Sequence, residues 1–179
     1  RSKSMDRNSY NSGDWFNRLD WTYQSNNFGV GLPPAGDNEA NWYLIGPRLA
    51  DPALKPGRSD IISSAYHALE LLAMRNSSPL FRLRTEEDVM ARLEFFNTGP
   101  DQIPGLIVMS LSDKVASLPD IDPRYEQVVV LFNASDTTQT FTVPGTAGQG
   151  FSLHPIQAQS PDATVKQSTF DPAGGTFSV

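Results

Sequence analysis

The chain of 179 residues contains no cysteine. That single absence excludes a disulfide framework, a thiolate metal site and a cysteine nucleophile together. It leaves the compartment open, because a large core dispenses with disulfides in any environment. Histidine is nearly as scarce, with only His67 and His154 present. Two imidazoles so far apart in sequence do not make a multi-histidine metal centre. Local pattern places His67 in a helix and His154 in a strand, both in structural roles. No run of 18 apolar residues exists, so no membrane-spanning helix is expected. The opening RSKSMDRN has none of the apolar character of a signal peptide. Positive charge is also in short supply. With 14 Lys+Arg against 20 Asp+Glu the net charge is -6, which argues against wholesale attraction to nucleic acid.

What is present is concentrated at the start. Residues 1–21, RSKSMDRNSYNSGDWFNRLDW, hold Asp6, Asp14 and Asp20, the basic Arg1, Lys3, Arg7 and Arg18, and the aromatics Tyr10, Trp15, Phe16 and Trp21. A run this polar is not core, and loops of this kind carry ligand contacts. Carboxylates, guanidinium groups and amides beside flat rings suit a sugar, which offers hydroxyls at its rim and an apolar face for stacking. Asp14, Asn17 and Arg18 stand at i, i+3 and i+4, so one helical turn would set them on a common face. Spacing alone favours an ordinary surface Asp–Arg pair, which is individually weak. Tyr10 reads either as a sugar contact or as packing beneath the loop. Trp15, Phe16 and Trp21 read as buried anchors.

The remainder divides by periodicity. Residues 22–57 are rich in Asn, Gly and Pro, and turn chemistry dominates apart from a helical turn expected at 38–45. Asp37, Asn38 and Glu39 lack the oxygen set of a calcium loop. A long helix is expected from Ser59, its N-cap, to 75–76, with Ile61, Ala65, Ala68 and Leu72 forming an apolar stripe. Thr85 followed by Glu86, Glu87 and Asp88 predicts a short capped turn. Seven strands are then expected near 91–96, 106–111, 127–132, 137–143, 151–156, 163–170 and 175–179, separated by Gly, Pro, Asn and Asp turns, a pattern that means an antiparallel sandwich.

The run RSKSMDRNSYNSGDWFNRLDW, then NNFGVGLPPAGDNEANW (26–42), SSPLFRL (77–83) and FFNTGPDQIPGLIVMS (95–110) resembles the C-terminal part of pullulanase and limit dextrinase. These are debranching enzymes of the α-amylase superfamily, glycoside hydrolase family 13. The resemblance implies a mixed fold: residues 1–83 as the loop and last helix ending a (β/α)8 catalytic barrel, and residues 84–179 as an all-β antiparallel sandwich. It implies hydrolysis of α-1,6-glucosidic linkages in pullulan, amylopectin and limit dextrins with retention. The family's catalytic Asp, Glu and second Asp belong to motifs upstream of this stretch and no segment here matches them. No catalytic residue is therefore expected in this chain, which alone should be inactive. The resemblance carries Asp14, Asn17 and Arg18 onto a loop that hydrogen-bonds a glucosyl unit, with Asn8 and Tyr10 in the same loop. The expected partners are an α-glucan and the remainder of the barrel, as part of the same or of a separate chain. No metal or other cofactor is expected in this segment; the resemblance leaves calcium possible in the complete enzyme. An extracellular bacterial setting is expected ahead of a plastid one. The competing reading is a non-catalytic carbohydrate-binding or interaction module, against which stands the orphan barrel helix with its uncovered stripe.

Overall fold

The fold is a mixture of helices and two antiparallel sheets, seen in a computed structural model that describes residues 3–8, 10 and 18–179. Contacts group the chain into two compact units, Arg1–Ala68 and Leu69–Val179.

The first unit is built from turns and short helices. α1 (Ala35–Asn38) follows Pro33-Pro34, and a single 3-10 turn (Glu39–Asn41) leads into α2 (Trp42–Ala50). The helical stretch thus extends past the expected 38–45 turn and through Gly46-Pro47, although Pro47 lacks the N–H that would bond Tyr43. The indole of Trp42 donates to the Pro33 carbonyl at 3.0 Å, tying α2 back to the chain before α1. Gly29 sits at φ +74°, where a Cβ would lie 2.6 Å from the Leu49 carbonyl oxygen, so only glycine allows this approach to α2.

α3 (Arg58–Ser77) begins one residue ahead of Ser59, and Asp60 in its first turn accepts from the Gly57 N–H at 2.8 Å. None of its residues is buried, and Tyr66, Leu69, Leu71 and Leu72 are exposed. The helix passes from the first unit into the second.

In the second unit Thr85 caps α4 (Glu86–Arg92) by accepting from the Asp88 N–H, as its sequence predicts. β1 (Leu93–Phe96), β2 (Leu106–Ser112) and β3 (Gln127–Asn133) form one antiparallel sheet in the order β1-β2-β3. Asn97 staples the β1–β2 loop, its Oδ1 accepting from the Ile103 N–H and its Nδ2 donating to the Leu106 carbonyl. β4 (Thr140–Thr142), β5 (Thr169–Asp171) and β6 (Thr176–Ser178) form the second sheet in the order β4-β6-β5. One core joins the sheets: Leu106 and Val108 from β2 meet Val143 and Phe177, with Phe141, Phe151 and Phe170 packed around them. Phe177 lies 4.6 Å from Phe170 in a tilted pair and 5.3 Å from Phe151 in an edge-on one, between ring centroids.

The described strands number six rather than seven. The expected strand at 151–156 is an irregular run ending in one helical turn, α5 (Pro155–Ala158). Pro155 fixes φ and lacks an N–H, which suits the first position of a helix and not a ladder. His154 is accordingly no strand residue. It caps α5, its Nδ1 accepting from the Ile156 N–H at 3.3 Å while Nε2 lies 3.0 Å from Ser77 Oγ. Burial, followed by the nearby Arg124 charge, lowers its pKa from 6.5. At 163–170 a 3-10 turn (Val165–Gln167) precedes β5, so only the last two residues of that expectation are extended strand. At 91–96 the helix claims the first two residues, and Arg92 becomes a buried anchor.

Candidate functional site

Residues 3–8 are held by hydrogen bonding rather than by apolar burial. Within residues 3–8 the two buried side chains are Ser4 and Asp6, both polar. Met5 between them adopts φ +59°, a left-handed conformation that a non-glycine residue holds only when its surroundings require it. The next two residues are held by Asn38 at the end of α1, which is 1% exposed. Its Nδ2 donates to Asp6 Oδ1 at 2.9 Å and to the Pro34 carbonyl at 2.9 Å. Its Oδ1 accepts from the Arg7 N–H at 3.1 Å.

The following residue is held from the same place. Asn8 donates its backbone N–H to Asp6 Oδ1 at 2.9 Å and its side-chain Nδ2 to Asp37 Oδ2 at 3.1 Å. Arg7 approaches Asp37 at 3.9 Å, but both side chains are largely exposed, so that ion pair contributes little. Tyr10 is fully exposed.

Arg18 is exposed, and its backbone carbonyl accepts from Lys3 Nζ at 2.6 Å. Asp20 then closes the run as a turn cap, accepting from the Thr22 hydroxyl and N–H and from the Gln24 and Ser25 N–H groups. These bonds, the Thr22 hydroxyl first, lower its pKa to about 2. Asp20 is thus an ionised structural cap. Trp21 is 81% exposed and is not the buried anchor its sequence suggested, because the Asp20 turn carries it outward. Asp14 and Asn17, together with Trp15 and Phe16, lie outside the described residues.

An open cleft of about 300 Å³ adjoins the Asn38 clamp, lined by Met5, Arg7, Asn41, Ile45 and Arg48 among others. It combines an apolar floor with guanidinium and amide groups, the mixture a sugar ring needs. The structure therefore brings Lys3 to Arg18 and Asn8 to Asp37. Sequence reasoning missed the linchpins Asp6 and Asn38, which are 32 residues apart. The signal available was the DNEANW segment, read there only as an incomplete cation loop. Its oxygens serve the loop instead, and among the described residues no three His, Cys, Asp or Glu side chains converge to hold a metal ion. No described helix is long and apolar enough to cross a membrane.

Comparison with known proteins agrees with the resemblance carried by the sequence. A family model described as alpha-1,6-glucosidases, pullulanase-type, C-terminal, matches residues 23–179. The whole chain is 52% identical to Pullulanase 1, chloroplastic, from Arabidopsis thaliana and 36% identical to Pullulanase from Klebsiella pneumoniae. It spans only 19% and 16% of those two proteins. Relatives thus include both a chloroplastic and a bacterial protein. Among solved structures, PulA from Klebsiella oxytoca superposes over the full chain with a TM-score of 0.84 at 35% identity, the chain covering 17% of it. The maltotriose complex of PulA from Klebsiella pneumoniae superposes with a TM-score of 0.82 at 37% identity, the chain covering 19% of it. The chain belongs to the C-terminal family of pullulanase-type α-1,6-glucosidases.

Proposed function

We propose that this chain is the C-terminal portion of an enzyme that hydrolyses α-1,6-glucosidic linkages in pullulan, amylopectin and limit dextrins with retention, and that it contributes substrate binding rather than the reacting carboxylates. The observation that carries the reading is the match to pullulanases over the whole chain, which spans less than a fifth of each. The reaction needs a nucleophilic carboxylate and a second carboxyl group about 5 Å away. Neither role falls to Asp6, which is buried in the Asn38 clamp, nor to Asp20, which caps a turn. By the family resemblance both roles belong to motifs upstream of this stretch, and on this reading the isolated chain is inactive.

In this reading residues 1–83 end the catalytic barrel and residues 84–179 form the sandwich that follows it in the chain. The exposed apolar residues of α3 support the assignment, since a helix bearing Tyr66, Leu69 and Leu72 at its surface calls for a covering layer. A free-standing carbohydrate-binding module has no use for that helix and is not favoured by the relatives. Asp14, Asn17, Arg18, Asn8 and Tyr10 bind the glucan, of which the maltotriose in the Klebsiella pneumoniae PulA complex is a short example.

The test is kinetic. In the complete enzyme Arg18→Ala removes a charge-assisted contact and lowers kcat/KM for pullulan by about 10- to 100-fold, equivalent to about 1.5–3 kcal/mol. An unchanged kcat/KM removes Arg18 from the site.

A further inference from the structure

We infer that Asn38 and Asp6 are positioning residues for the substrate loop, acting on the glucan through the conformation they impose on residues 6–8. The inference rests on the substrate-loop reading given above. Its basis is that one buried amide satisfies three partners at once. Both Nδ2 hydrogens are used, on Asp6 Oδ1 and the Pro34 carbonyl, and Oδ1 takes the Arg7 N–H. The opposite amide orientation would set a donor against the Arg7 N–H and an acceptor against two oxygens, so the side chain has one usable arrangement. Asp6 Oδ1 is shared with the Asn8 N–H, which links the clamp directly to a candidate glucan contact.

The neighbouring Asp37 takes the Asn8 amide, fixing the rotamer as well as the backbone. Because the buried side chains of residues 3–8 are polar, apolar packing does not substitute for these bonds. Their loss frees the segment, and the left-handed Met5 backbone then relaxes toward commoner conformations. Asn8 and Tyr10 would sample many orientations, and each bound glucan would have to restore the productive one.

A conformational cost of this kind reduces binding before the chemical step. In the complete enzyme Asn38→Ala raises KM for pullulan about tenfold while kcat stays within about twofold. A merely structural role predicts the reverse, with fewer active molecules, lower apparent kcat and unchanged KM. Asp6→Ala reproduces the Asn38→Ala effect, and the double variant costs no more than either single one, as expected for two ends of one clamp. Asp6→Asn, which keeps an accepting oxygen, recovers most of the loss. The inference is overturned if Arg18→Ala or Asn8→Ala raises KM whereas Asn38→Ala does not. If none of these variants changes KM or kcat/KM, the substrate-loop reading fails and the positioning role falls with it.

Discussion

Replacing Arg92 by methionine keeps the length of a buried side chain and removes its charge, which makes it the sharpest available probe of the second unit. The Arg92 side chain has no exposed surface. Nε donates to Asp88 Oδ1 at 3.0 Å, Nη1 to Asp113 Oδ1 at 2.6 Å and to the Asp113 carbonyl at 3.2 Å, and Nη2 to the Pro119 carbonyl at 2.6 Å. The guanidinium therefore joins the end of α4 to the loop after β2. Removing one partner of a buried ion pair costs about 3–5 kcal/mol. Asp113 would retain bonds from the Ile121 and Asp122 N–H groups, which places this case near the lower end. About 3 kcal/mol corresponds to roughly two orders of magnitude in an opening equilibrium. Native-state hydrogen exchange of the Ile121 and Asp122 amides should accelerate by that factor. Lys114→Ala, which breaks the exposed pair with Glu126, should change it by less than about threefold. Equal exchange in Arg92→Met and wild type would refute the assignment of Arg92 as the loop's anchor.

Two further outcomes follow from named contacts. Gly175 has φ +67°, and a Cβ there would lie 2.7 Å from Thr146 Oγ1 and 2.8 Å from the Ala147 nitrogen; Gly175→Ala should therefore destabilise the β5–β6 turn by about 2 kcal/mol or more, read by urea unfolding. His154 has a folded pKa below its ordinary 6.5, so the unfolded chain binds the proton more readily. The stabilising contribution of neutral His154 is complete above that value and is lost as pH falls through the lowered one. The apparent Tm of the wild type should fall more steeply as pH drops through and below 6.5 than that of His154→Asn, whose amide can still cap α5 without titrating.

The strands with the strongest local signal were legible in the sequence. QVVVLF and LIVMSL are continuous apolar runs, and both form the paired strands β3 and β2. The Thr85 cap was equally plain, because a hydroxyl followed by three acidic residues meets the electrostatics of a helix start by itself. At Pro155, unlike Pro47 inside α2, proline prevailed over the local pattern. Phe151 and Leu153 alternate like a strand, but Pro155 and the His154 cap turn the chain into α5. Arg92 read as part of a strand because its partners Asp113 and Pro119 are distant in sequence. The same limitation hid the site's support. Asp6 looked like one of three loop carboxylates and Asn38 like part of a cation motif, whereas burial of Asn38 against Asp6 is a tertiary event with no local signature. The resemblance pointed to Asn8, Tyr10, Asp14, Asn17 and Arg18 and not to Asp6 and Asn38, which hold the segment from behind in sequence-distant contact.

The central claim is that this chain completes a debranching enzyme whose reacting carboxylates lie elsewhere. It is tested most directly by incubating pullulan with the 179-residue chain and, separately, with the longer protein that carries it, and by following the appearance of reducing ends. The account predicts cleavage at α-1,6 linkages by the longer protein and none by the chain alone. Cleavage by the chain alone, or a longer protein that leaves pullulan intact, would contradict it.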